Sequence, residues 1–204
     1  VVVPLNWRLT VPELTFILKD SGVSLLLYGS EFAETAKSLS ELESGATDIK
    51  QWIEVSKADK GAPAAVDYDE AIATASDREP EIVGSHDDLL HIMYTSGTTG
   101  LPKGVMHSHD TQAGSARATW MTLDARHGDR MLAMLPMFHA GALFAVIGAV
   151  YRGYSLVMMK SFDPVQFWEV LTTEHITTSG AVPAMLNAMM QVTAAQTTDT
   201  SRLR

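Results

Sequence analysis

YTSGTTGLPKG, residues 94–104, is the most informative segment of this chain, and it follows an apolar run at 89–94 that is typical of a buried strand. Its glycines let the backbone approach an anion closely, and successive N–H groups in such a turn form an anion-binding nest. Four hydroxyls and one mobile cation add to this set of donors. The segment therefore predicts a phosphate-binding loop made by Thr95, Ser96, Gly97, Thr98, Thr99, Gly100, Lys103 and Gly104.

The spacing excludes a Walker-type P-loop, which requires the pattern G-x-x-x-x-G-K-[ST]. Counting from Gly97, the second glycine position holds Pro102, and the residue after Lys103 is Gly104. No hydroxyl follows the lysine to hold magnesium, and the proline lacks an N–H donor. The alternative interpretation, an exposed Gly/Thr turn without function, explains neither the lysine nor the preceding strand.

Composition limits the classes of partner. The chain has 204 residues, 46% of them hydrophobic and 19% charged, which is typical of a globular domain. Its net charge of −9 argues against nucleic acid, because binding to a phosphate backbone needs clustered Lys and Arg. The absence of cysteine excludes disulfides and thiolate chemistry.

No apolar run reaches the length of a membrane span and no signal peptide is recognisable, so we expect a cytoplasmic location. The sequence indicates no oligomeric state.

Apolar periodicity predicts strands that alternate with helices, which is typical of an α/β fold with largely parallel sheets. The box Thr10-x-x-Glu13 predicts the start of a first helix that ends near Gly22. The other predicted helices cover 31–42, 68–74, 110–121, 138–150, 164–174 and 182–192, and the strands cover 24–28, 51–55, 89–94, 130–135, 155–159 and 176–179.

The charged connection at 76–85 predicts an internal boundary. We therefore expect an N-terminal α/β subregion over 1–85 and a phosphate-loop subregion over 86–192. The apolar periodicity is lost at 193–204, which predicts a loop or a frayed end.

Four segments together resemble one known family. YTSGTTGLPKGV (94–105) resembles the phosphate-loop signature of the adenylate-forming, or AMP-binding, superfamily, which includes acyl-CoA synthetases. PLNWRLTVPEL (4–14), LPMFHAG (135–141) and VPAML (182–186) resemble further segments of the same family. LPMFHAG has one residue fewer before its glycine than the corresponding family pattern has. The resemblance spans nearly the whole chain and implies a piece of the family's large N-terminal domain.

The resemblance implies that a carboxylic acid, most simply a fatty acid, is activated by ATP as an acyl-adenylate and then transferred to CoA. In this interpretation residues 96–100 wrap the β- and γ-phosphates, Lys103 neutralises them, and Thr95 helps to hold Mg²⁺. Phe138, His139 and Gly141 are expected to line the acyl pocket. The alternative for His139 is a histidine packed at a helix start.

The resemblance also implies parts that this sequence does not show: a magnesium-binding glutamate, a ribose-binding aspartate and a C-terminal lysine. We therefore expect residues 1–204 alone to be inactive in acyl-CoA synthesis. Two alternatives stay open: adenylation of another acid, such as an amino acid or a luciferin, and a non-catalytic nucleotide-binding module. His107 and His109 do not predict a metal site, Asp87 and Asp88 are expected to be solvated, and Met185, Met189 and Met190 are expected in the core.

Overall fold

The structure is a computed structural model that describes residues 1–55, 62, 64–81, 83–96, 100–122 and 124–204. Contacts divide them into two compact units, Val1–Ser85 with Leu90–Met106, and His86–Leu89 with His107–Arg204. The helices are α1 Val11–Asp20, α2 Ala33–Ser40, α3 Tyr68–Thr74, α4 His109–Thr122, α5 Ala140–Arg152, α6 Pro164–Thr173 and α7 Pro183–Met190. The strands are β1 Leu25–Gly29, β2 Gln51–Val55, β3 Val66–Asp67, β4 Leu89–Thr95, β5 Lys103–Ser108, β6 Arg130–Ala133, β7 Ser155–Met158 and β8 Thr178–Ser179.

The first unit contains a three-stranded sheet of order β1-β2-β3 in which both pairings are parallel. Helix α1 begins with the predicted capping box, since the Glu13 carboxylate accepts from the Thr10 N–H at 2.7 Å. Leu14 and Leu18 on its inner face pack with Leu26 and Trp52 of the sheet. The sheet and its helices therefore form a core that is local to this unit.

The second unit contains another three-stranded sheet, of order β7-β6-β8, again with parallel pairings. Leu132, at the centre of β6, is completely buried between neighbouring strands and helices. Helices α4 and α5 pack against each other, and α6 and α7 cover a cluster that includes Trp168 and Met189. Central strand β6 is therefore largely buried, and the turn that leads into α5 follows directly after it.

The alternation of strands and helices in parallel sheets confirms the predicted fold class. The Asp163 carboxylate accepts from the N–H groups of Val165 and Gln166 at 2.8 Å, as expected for the predicted cap of α6. The polar segment at 56–66, for which the sequence predicts neither helix nor strand, lies largely outside the described residues, and its end forms β3. Among the helices described, none combines the length and apolar character that a membrane crossing requires.

Three local predictions were wrong. The helix predicted over 138–150 begins at Ala140, and only one of its faces is buried, so Val150 is 86% exposed. Met190 is 66% exposed because it lies on the outer face of α7, whereas Met189 is buried and Met185 is partly buried. Strand β5 was not predicted at all, because its six residues show no clear apolar alternation.

Residues 193–204 are irregular apart from a 3-10 turn at Thr193–Gln196, but they are attached to the second unit. The Arg204 N–H donates to the Thr177 carbonyl at 3.0 Å, and Leu203 packs on the second unit. The compact units also differ from the subregions expected from sequence, since Leu90–Met106 belong with the first unit. Contacts from β4 to Val2 and to α1 account for that placement.

Candidate functional site

Strand β4 runs directly into the glycine-rich segment, as predicted. Its residues alternate, so that Met93 is buried while Thr95, the last residue of the strand, is exposed on the same side. Tyr94 points to the opposite side of the strand. Ser96 follows outside the strand and is also exposed. Two hydroxyls thus emerge at the carboxyl end of β4, accessible to a ligand.

The segment between the two strands is irregular where the structure describes it. Gly97, Thr98 and Thr99 lie outside the described residues. Gly100 has φ of +150°, a conformation that L side chains rarely adopt, which accounts for glycine at this position. Neither a continuous helix nor a continuous strand joins Thr95 to Gly104, so the predicted loop is compatible with the structure.

Lys103 is not a loop residue as expected but the first residue of β5, where it is exposed. A strand defines its backbone more closely than a free loop does. Gly104 follows, and a Cβ at that position would lie 2.8 Å from Ile92 Cγ2 and 3.0 Å from Tyr94 Cζ. The glycine is therefore required by close packing of β5 on the side chains of β4. Helix α4 begins at His109, confirming a helix soon after the loop.

The Tyr94 hydroxyl donates a hydrogen bond of 2.5 Å to the carboxylate of Asp20, the last residue of α1. Partial burial, and after it the bond to the Asp20 carboxylate, together raise the pKa of Tyr94 to about 12. The phenol is therefore neutral and a donor at ordinary pH. Sequence reasoning quoted Tyr94 but missed this role, because the partner is 74 positions away and no local pattern marks it.

A second group of predicted residues lies in the turn between β6 and α5. The His139 N–H donates to the Pro136 carbonyl at 3.0 Å, and His139 caps α5 with an extended backbone. Its side chain is exposed and lies against the half-buried Phe138 ring, with ring centroids 4.5 Å apart. The exposure argues against a histidine that serves only to pack the helix start.

A small apolar cavity adjoins this turn. It is lined by Gly141 and by residues of β6 and α5, namely Met131, Leu132, Ala133, Met134, Leu135, Ala142 and Ala145, together with Gly180. Its volume of about 20 Å³ has room for one water molecule but not for an acyl chain. A Cβ on Gly141 would lie 3.2 Å from Leu135 Cδ1, so the glycine keeps this wall open.

The structure brings the predicted residues together in two groups. Thr95, Ser96, Lys103 and Gly104 belong to the first unit, and Phe138, His139 and Gly141 belong to the second. His107 lies in β5 and His109 begins α4, so they share no strand face. Within the described part of the chain, no three His, Cys, Asp or Glu side chains form a metal-binding group.

Comparison with known proteins gives a consistent result. The AMP-binding enzyme family matches residues 1–204. The long-chain-fatty-acid–CoA ligase FadD13 of Mycobacterium tuberculosis strain H37Rv is 40% identical over 192 residues, which cover 94% of this chain and 36% of the ligase. The feruloyl-CoA synthase of an Amycolatopsis species is 33% identical over 205 residues, covering 100% of this chain and 38% of the synthase.

Solved structures agree with these matches. A fatty acyl-CoA synthetase of Mycobacterium tuberculosis superposes with a TM-score of 0.87 at 38% identity, covering 100% of this chain and 38% of that protein. The O-succinylbenzoate CoA synthetase of Bacillus subtilis, solved with ATP and magnesium, has a TM-score of 0.77 at 28% identity, covering 99% and 38%. The chain thus spans little more than a third of the length of these relatives.

Proposed function

Because this chain belongs to the AMP-binding enzyme family, we propose that the whole protein activates a carboxylic acid with ATP and transfers the acyl group to CoA. One observation carries the proposal: Thr95 and Lys103 are exposed at the two ends of a glycine-rich segment that joins two strands. This arrangement places hydroxyl donors and a cation where an anionic ligand can reach both. The named relatives form CoA thioesters, which supports CoA as the acceptor.

The proposed reaction has two steps. A carboxylate oxygen of the acid attacks the α-phosphorus of ATP, the bond to the β-phosphate oxygen breaks, and pyrophosphate leaves. The CoA thiolate then attacks the acyl carbon, and AMP leaves with the electron pair of the acyl–phosphate bond. No protein nucleophile is needed, so the task of the site is to bind, orient and neutralise negative charge.

In this proposal the loop binds the phosphates. Ser96 and Gly100, with Gly97, Thr98 and Thr99 between them, enclose the β- and γ-phosphates. Lys103 supplies the positive charge that stabilises the departing pyrophosphate, and its position on β5 limits how far its backbone can move. Gly104 allows β5 to lie close to β4 and so keeps Lys103 near the loop.

Magnesium is proposed as the companion of ATP. The described residues offer no cage of carboxylates and histidines, whereas the exposed Thr95 hydroxyl is a single oxygen ligand. That donor set fits Mg²⁺, which keeps several waters and is held largely by substrate phosphates. When bound, the ion neutralises phosphate charge. Thr95 would contribute one ligand and orient it from the end of β4.

The acid is proposed to bind beside the second group. Phe138 offers a half-buried aromatic surface, His139 an exposed imidazole at the start of α5, and Gly141 an open wall beside an apolar cavity. An apolar surface with one polar group is what a fatty or aryl carboxylate requires. The relatives include a long-chain ligase and a feruloyl-CoA synthase, so both acid classes belong in the test.

A cytoplasmic location and the absence of nucleic acid partners remain predictions.

The test uses the full-length protein with a panel of carboxylic acids. ATP–pyrophosphate exchange measures the first step, and acid-dependent formation of CoA thioester measures both steps. We expect fatty or aryl acids to support both signals. Exchange without thioester would point to another acceptor, exchange with amino acids alone would favour the amino-acid alternative, and ATP binding without exchange would favour a non-catalytic module.

A further inference from the structure

The base of the phosphate loop is closed by Tyr94. This residue precedes Thr95 at one end of the loop, and its ring lies against Gly104, which follows Lys103 at the other end. A Cβ on Gly104 would be 3.0 Å from Tyr94 Cζ and 3.2 Å from its hydroxyl oxygen. Tyr94 is thus the chain neighbour of Thr95, and its ring packs on Gly104, the chain neighbour of Lys103.

The same side chain is attached to the rest of its unit. Its hydroxyl donates to the Asp20 carboxylate at the end of α1, whose inner face is packed into the core by Leu14, Ile17 and Leu18. The sheet has two strands, a number that by itself is weakly stable, and a backbone bridge to Val2 attaches β4 upstream of Tyr94. The Tyr94–Asp20 bond therefore joins a weak strand pair to a well-packed helix.

We propose that Tyr94, held by Asp20 and packed on Gly104, is a positioning residue that fixes the two ends of the phosphate loop for ATP. The inference rests on the proposed function. Binding costs less when a loop is already held in its bound arrangement, because less conformational entropy is lost. Neither Tyr94 nor Asp20 needs to touch the nucleotide for this effect.

The exposure of the Tyr94–Asp20 pair distinguishes the proposed positioning role from a general contribution to the stability of the fold. Asp20 is exposed and Tyr94 is only half buried, so the Asp20 carboxylate is hydrated when their bond is broken. A solvated pair of this kind contributes little to global stability. The loss is expected to fall on the loop ends, and hence on ATP. The acid, bound beside the second group in our proposal, is expected to be unaffected.

The experiment uses five variants of the full-length protein. Tyr94→Phe keeps the ring on Gly104 and removes the hydroxyl, and Asp20→Ala removes the acceptor. The double variant tests whether the two act as one unit, and Asp20→Asn keeps a carbonyl oxygen that can accept the bond. Lys19→Ala is the matched control, because it is the adjacent exposed residue and pairs with Asp48 rather than with Tyr94.

Pyrophosphate exchange is measured against ATP and against the acid. Tyr94→Phe and Asp20→Ala are each expected to raise the KM for ATP about three- to tenfold, the range that corresponds to one modest hydrogen bond. The KM for the acid should stay within about twofold. The double variant should equal the single variants, and Asp20→Asn should lie closer to wild type. An unchanged KM for ATP, equal increases for both substrates, or additive single effects would overturn the inference.

Hydrogen exchange of the free protein gives a test that needs no activity. Tyr94→Phe should speed amide exchange in peptides covering 95–106 and leave β1 at wild-type rates, because only the loop base is released. If Tyr94→Phe and wild type exchange these amides at equal rates, that result alone rejects the positioning role of Tyr94. If wild type shows no pyrophosphate exchange while residues 95–106 still respond, the proposed function fails but the attachment of the loop by Tyr94 holds.

Discussion

The two candidate regions are built in opposite ways. The strand pair β4–β5 presents exposed hydroxyls and a lysine, and its attachments include the contact at Gly104, a backbone bridge to Val2 and the hydrogen bond from Tyr94 to Asp20 of α1. The turn after β6 rises from a central parallel strand with Leu132 fully buried beneath it. The first region presents several exposed polar and charged side chains. The second follows a buried strand and has few polar groups.

In the proposed function, this difference follows from what each ligand requires. A phosphate chain is bound by donors that must remain accessible, and these donors cannot also form a core. An acyl group is bound by apolar walls, which are extensions of a core. Substitutions of exposed side chains in the strand pair should therefore change kinetics with little effect on stability. Substitutions around β6 should change stability or acid preference and leave ATP kinetics intact.

Lys103→Ala in the full-length protein should have the largest effect. A charge-assisted hydrogen bond to phosphate contributes roughly 1.5–3 kcal/mol, so adenylation should slow by about ten- to a hundredfold. The thermal unfolding midpoint should not change, because the side chain is exposed. Thioester formation from preformed acyl-adenylate should be much less affected, since pyrophosphate has already left.

Lys50→Ala is the control for this prediction, since Lys50 is an exposed lysine of the same unit outside the loop. It should leave both half-reactions at wild-type rates. If Lys103→Ala also does so, the lysine is merely a solvated charge and the phosphate role is lost. If Lys103→Ala instead lowers the unfolding midpoint, the proposed contrast between the two regions is wrong.

The same contrast explains what the sequence could and could not predict. Helices α1 and α6 were predictable because their caps are local patterns at Thr10, Glu13 and Asp163. The end of β4 at Thr95 was predictable because a glycine-rich run follows the apolar one in the sequence. The Tyr94–Asp20 bond was not, because it joins positions 74 apart. Strand β5 was missed because its burial is low throughout and a two-stranded sheet leaves no apolar alternation.

Asp129→Ala should destabilise the second unit. The buried carboxylate accepts from the Arg126 N–H at 2.7 Å and the Thr177 hydroxyl at 3.0 Å, and it pairs with Arg204. Removing it takes away the acceptor of several partly buried donors, which costs about 1–3 kcal/mol of unfolding free energy. Thermal unfolding should show this loss while the KM for ATP stays constant. Asp199→Ala is the matched control, since that carboxylate is exposed and should leave the midpoint unchanged.

The stability supplied by Asp129 should also depend on pH. Burial alone would raise its pKa, but hydrogen bonds from the Arg126 N–H, Arg204 and Thr177 together lower it. A carboxyl with a lowered folded pKa stabilises above its unfolded value of about 3.9, and this contribution is lost as pH falls through the folded value. The midpoints of wild type and Asp129→Ala should therefore converge in acid. A gap that does not narrow as the pH is lowered would contradict this account.

Gly141→Ala should have a smaller effect, confined to the acid. The new Cβ would lie 3.2 Å from Leu135 Cδ1, so that side chain must shift at the edge of the apolar cavity. One methyl group in such a wall changes selectivity by several-fold. Exchange measured across the acid panel should favour smaller acids, with the KM for ATP unchanged. Gly114→Ala is the control, because a Cβ at that position meets no atom within 4 Å. An equal change of acid preference in that variant would mean that the cavity beside Gly141 does not cause the effect.

The smallest expected effect is that of pH on the Tyr94 bond. Its pKa is raised to about 12, first by partial burial and then by the bond to Asp20. A raised folded pKa means that the contribution of the neutral phenol is fully present below the unfolded value of about 10 and is lost only as pH rises through 12. The ratio of the ATP KM of Tyr94→Phe to that of wild type should therefore be constant from pH 6 to pH 9. Changes in other groups cancel in this ratio, because the two proteins share them. A ratio that falls towards one within this range would mean that the phenol ionises there, and the bond to Asp20 would then not be what holds the loop.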